Sequence, residues 1–80
     1  MSAPETFKQG DNVHVTAFGR TVFAWVLLAS GNSESLMLGF DAMLGGYIGS
    51  MPLIWNVDRF EDLFTGEAVT VEHALGNPND

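Results

Sequence analysis

Apolar residues in this chain recur mostly at alternate positions, the period of extended strands with one covered face. Between residues 13 and 17, Val13, Val15 and Ala17 alternate with His14 and Thr16, which predicts a strand whose wet face carries the histidine and the threonine. Residues 18–20, Phe-Gly-Arg, form a short connection into the stretch around which the chain is organised, residues 21–40. Two apolar runs, 21–29 and 36–40, flank the turn-rich segment Ser30-Gly31-Asn32-Ser33-Glu34. Gly and Asn tolerate the positive φ of tight turns, so this arrangement predicts a hairpin. In the first run Val22, Ala24, Val26 and Leu28 face one way, and Phe23, Trp25, Leu27 and Ala29 face the other. A strand apolar on both faces must be covered on both, by its own fold or by another chain.

Past Phe40 the pattern changes. Asp41 is placed to cap one helical turn through Ala42, Met43 and Leu44, which Gly45 and Gly46 would stop. Strand character returns over residues 51–55, where Pro52, lacking an amide hydrogen, suits the start of a strand or a sheet edge. Residues 56–66 admit two readings. Phe60, Leu63 and Phe64 fall at helical spacing, with Asp58 and Glu61 as a capping box and Gly66 as a stop. Alternatively, 59–64 is a strand that turns at Thr65-Gly66 into a strand over 68–72, with Val69 and Val71 inward. An eight-residue helix is marginal by itself, so the hairpin is preferred. Residues 1–9 read as a flexible arm, with Phe7 its one potential anchor, and residues 74–80 as a disordered tail.

The expected fold is therefore all-β: one domain over residues 10–73, a small five- to six-stranded barrel or sandwich with at most one helical turn. Gly10-Asp11-Asn12-Val13-His14-Val15 followed by a long second strand resembles the opening of many SH3-like small barrels. That resemblance covers about a third of the chain and implies the barrel fold. The remainder is similar in style to small bacterial and phage proteins, and implies no activity.

Composition changes the picture in three ways. First, the 80 residues include no cysteine and only two histidines, which removes disulfides, thiolate metal sites and cysteine nucleophiles and fits a reducing compartment. Second, only 16% of the residues are charged against 46% apolar, more grease than so short a chain is expected to hide. Self-association is the expected outlet, most simply as a two-fold dimer. Third, Lys8, Arg20 and Arg59 face ten carboxylates, for a formal charge of −7. Direct binding to nucleic acid or to an anionic membrane is disfavoured. With neither a membrane-length apolar run nor a signal-peptide layout, the expected location is the cytoplasm.

Candidate chemistry is sparse. His14 and His73, with Asp11 or Glu72 nearby, sketch a base or metal pair, yet both lie on wet strand faces. Asp58, Glu61, Asp62, Glu67 and Glu72 match no calcium loop and read as a solvated acidic face. Ser30, Ser33, Ser35 and Ser50 lack a nucleophile context. Gly45-Gly46-x-x-Gly49-Ser50 lacks the lysine and following helix of a phosphate loop. No catalytic residue, metal or cofactor is expected.

What remains is an interaction surface. Met43, Leu44, Tyr47, Ile48 and Met51 are adaptable apolar side chains on a glycine frame, and Trp25 is the candidate hot spot. The glycine-framed segment serves either as an interface or as a plug for the barrel end. The functional expectation is a non-catalytic interaction module that forms homo-oligomers. The alternative is an acidic decoy, its carboxylates imitating phosphates at the site of a DNA- or RNA-binding protein.

Overall fold

The structure, a computed structural model, describes residues 4–74. Six strands follow one another: β1 (Asn12–Ala17), β2 (Arg20–Ala29), β3 (Ser35–Leu44), β4 (Tyr47–Asn56), β5 (Arg59–Asp62) and β6 (Ala68–His73). Each pairs antiparallel with the next, and β6 returns to β1, so the sheet closes into a barrel. There is no helix among the described residues.

The alternation in the sequence translates directly into burial. Val13, Val15, Ala24, Val26, Leu38, Phe40, Leu53, Val69 and Val71 point into the barrel. Phe60 joins them, which settles residues 56–66 as a strand and turn, although the strand ends at Asp62.

The helical turn expected after Asp41 does not form. Residues 42–44 continue β3, where Met43 pairs with Ile48 and Leu44 with Tyr47. Gly45 and Gly46 both take positive φ, 60° and 112°, the geometry of a two-residue hairpin turn. They reverse a strand rather than stop a helix.

The two faces of β2 also depart from strict alternation. A bulge between Val26 and Leu28 sets Val26 opposite Leu38 but Leu28 opposite Met37, with Leu27 as the extra residue. Leu28 is thereby turned outward, 62% exposed, instead of sharing the inner face of Val26.

Pro52 lies inside β4, opposite Met37, and not at a strand start. Its carbonyl accepts from the Leu63 amide at 3.1 Å, on the side where β5 has just ended. A strand residue's N–H and C=O point the same way, so the missing hydrogen falls where the ladder is already stopping.

Residues 4–9 form no strand, and the potential anchor in this segment is engaged. Phe7 is 3% exposed within the core, its ring edge-on to Phe60 and stacked at 4.5 Å on His73. Its amide donates to Ser33 Oγ at 2.7 Å, and that hydroxyl returns a bond to the Phe7 carbonyl at 3.2 Å. Ala74, the last described residue, is held by a bond from its amide to the Asn12 carbonyl. The rest of the expected tail, like residues 1–3, lies outside the described residues.

Candidate interaction surface

The outer faces of β2, β3 and β4 carry a continuous apolar surface, built row by row from the strand register. Leu28 of β2 lies opposite Met37 of β3, which lies opposite Pro52 of β4. Leu63, bonded through its amide to the Pro52 carbonyl, extends this row beyond the end of β5. Ile54 flanks the row on β4, opposite Ser35. Between these side chains runs a groove of about 350 Å³. Leu28, Ile54 and Leu63 are 62%, 40% and 50% exposed, and no charged side chain lines the groove.

The adjoining row is Trp25, Gly39 and Ser50. Gly39 is buried because Trp25 and Leu27 lie across it. A Cβ there would sit 2.6 Å from Trp25 Nε1 and 3.1 Å from Leu27 Cδ1. The indole thus rests on bare backbone, a close approach that only glycine permits. Phe23, half exposed, follows at 6.4 Å from the Trp25 ring, and His14 meets Phe23 edge-on. Gly39→Ala should lift the indole and cost about 1–3 kcal/mol, the usual range for overpacking. The Trp25 indole N–H resonance should shift with it; an unchanged resonance and urea midpoint would mean that the indole does not cover this glycine.

The glycine-framed segment divides between two environments. Leu44 and Met51 are fully buried and line the core, which removes them from any surface. Both follow the inward phase of their strands, and the neighbouring glycines do not alter it. Tyr47 is half-buried against the core, its hydroxyl donating to Asp62 Oδ1 at 2.5 Å. Met43 and Ile48 pair on the opposite side of the hairpin, 57% and 77% exposed. Arg20 steadies that end by donating from Nη1 to the Met43 carbonyl at 2.6 Å.

Two carboxylates of the acidic region are engaged within the fold. Asp62, 1% exposed, accepts from the Tyr47 and Thr65 hydroxyls and the Phe64 amide. Glu61 accepts from Asn56 and from Arg59, and these bonds hold its carboxyl below the usual range. His73, besides stacking on Phe7, has Nε2 3.0 Å from the Thr6 carbonyl. No group of three metal-ligating side chains occurs among the described residues, and no helix there is long and apolar enough to cross a membrane.

Of the surface residues, the sequence pointed to Trp25, Met43 and Ile48 but missed Leu28, Met37, Ile54 and Leu63. Met37 and Ile54 were findable, since each sits at the outward position between inward leucines or beside one. Leu28 was not, because its orientation depends on the bulge. Compared with known proteins, the chain matches no family model, and neither a curated protein nor a solved structure matches it significantly.

Proposed function

We propose that this chain is a non-catalytic interaction module, an SH3-like small barrel that associates with a second copy of itself through the outer face of β2, β3 and β4. One observation carries the reading: in a chain of net charge −7, that face exposes Phe23, Leu27, Leu28, Ile54 and Leu63 with no charge among them. A basic partner would be drawn elsewhere on the molecule, whereas a second copy of the groove region brings apolar surface and no carboxylates; Asp41, exposed on β3, does not line the groove. The total surface of 4961 Å² accommodates the ~800 Å² per partner that a stable dimer typically covers. The closed barrel favours side-chain contact over strand addition, because closure removes the free edges on which added strands form. Met43 and Ile48 extend the same outer side toward the hairpin tip and are its outlying contacts. The cysteine-free sequence suits a reducing compartment such as the cytoplasm. The acidic-decoy reading has less support, since Asp62 and Glu61 are engaged within the fold.

Sedimentation velocity from micromolar to millimolar concentration tests this. Wild type should move from monomer to dimer, and Leu28→Glu should stay monomeric by setting buried like charges against each other. Because Leu28 is exposed, its urea midpoint should correspond to a change within about 0.5 kcal/mol. A wild-type monomer at every concentration would overturn the reading.

A further inference from the structure

The apolar groove and an exposed phenyl ring lie at one border of this face. Phe64 is 76% exposed, one residue beyond Leu63, which forms a wall of the groove. An exposed phenylalanine on a slack loop would mean little, but this one is held in place. Its amide donates to Asp62 Oδ1, Thr65 Oγ1 donates to Asp62 Oδ2, and the Gly66 amide donates to the Asp62 carbonyl. A buried carboxylate thus fixes the turn that presents the ring, so little conformational freedom is left to lose on docking. Within one chain, the ring is left largely uncovered.

We infer that Phe64 of one copy inserts into the groove between Leu28, Met37, Pro52, Ile54 and Leu63 of the other, and reciprocally. This rests on the self-association proposed above and names the contact that fixes its geometry. The groove, about 350 Å³, has room for a phenyl ring, and its apolar walls suit one. Knob and groove share Leu63 as a border, so a two-fold axis beside that residue lets both copies insert at once. The result is a closed pair and not a chain of subunits.

Phe64→Ala should weaken the dimer about 100-fold or more, because two anchoring aromatic rings are lost per pair. Ser35→Trp, which fills the groove from β3, should weaken it likewise. An equimolar mixture of the two proteins should associate more tightly than either alone, since the intact ring of one meets the open groove of the other. Phe64→Gln provides a second knob variant should the alanine protein fail to fold. If the knob variants dimerise like wild type while Leu28→Glu is monomeric, the insertion is wrong and the self-association stands. If the mixture is no tighter than its components, the insertion is again overturned. A wild-type protein that never dimerises overturns both.

Discussion

Asp62→Ala should destabilise the barrel by about 3–5 kcal/mol, because several donors lose one buried, charged acceptor at once. A domain of this length holds only about 4–12 kcal/mol in all, so the variant should be partly unfolded at room temperature. The carboxylate is 1% exposed, and its loss leaves the Tyr47 hydroxyl, the Thr65 hydroxyl and the Phe64 amide without their acceptor. Tyr47→Phe removes one donor and leaves the others, and should cost about 1–2 kcal/mol. Asp62→Asn keeps one acceptor oxygen and should fall between the two. Urea titration of the three proteins gives the order directly. A wild-type midpoint for Asp62→Ala would mean that this network does not hold the turn.

The same network sets the pH range of stability. Burial alone would raise the Asp62 carboxyl, but bonds from the Thr65 and Tyr47 hydroxyls and the Phe64 and Thr65 amides outweigh it and hold the group below its ordinary range. A carboxyl depressed on folding adds stability above its unfolded value, near ~4, and that contribution is lost as pH falls through the folded value. Tyr47 moves the other way. The hydrogen bond to Asp62, then burial and the carboxylate's charge, push its hydroxyl up to about 12. Its contribution is complete below the unfolded value, near ~10, and disappears as pH rises toward the folded one. Stability should therefore be flat through the neutral range and fall at both ends, and Tyr47→Phe should flatten the alkaline decline.

What the sequence made legible was whatever two-residue alternation decides alone. β1, β6 and the first half of β2 announce themselves because each inward residue is apolar and each neighbour is polar or can face outward. Alternation fails wherever the ladder slips. The extra residue at Leu27 turns Leu28 from core to surface, and nothing local marks a bulge inside an unbroken apolar run. The Gly45-Gly46 pair was ambiguous for another reason, since glycine stops a helix and turns a hairpin equally well, and only the pairing of Met43 with Ile48 decides. Leu44 and Met51 belong to the core, the plug alternative for these two, although their glycine neighbours suit a flexible surface equally well. Asp62 was unreadable as a buried group. Its stabilising hydroxyl comes from Tyr47, fifteen positions earlier on the neighbouring strand β4, a contact no local pattern announces.

Phe7→Ala is expected to cost about 3–5 kcal/mol, comparable with deleting a residue of the central strands. Before the first strand, a lone phenylalanine among Glu5, Thr6, Lys8 and Gln9 has no pattern to mark it as core. The structure supplies the reason it goes inside: the ring meets Phe60 and His73, while both its backbone groups bond to one hydroxyl, Ser33 Oγ. Ser33 is itself buried, so a water could not readily replace it as partner. Ser33→Ala should cost about 1–3 kcal/mol, the price of leaving the Phe7 amide and carbonyl unsatisfied. The two losses should not add, because once the ring is gone the segment can lift away and solvate those backbone groups. A double-mutant cycle in urea should show the double variant more stable than the sum of the single effects. Additive losses would mean that ring and hydroxyl act separately. A Phe7→Ala protein as stable as wild type would mean that the barrel closes without the segment.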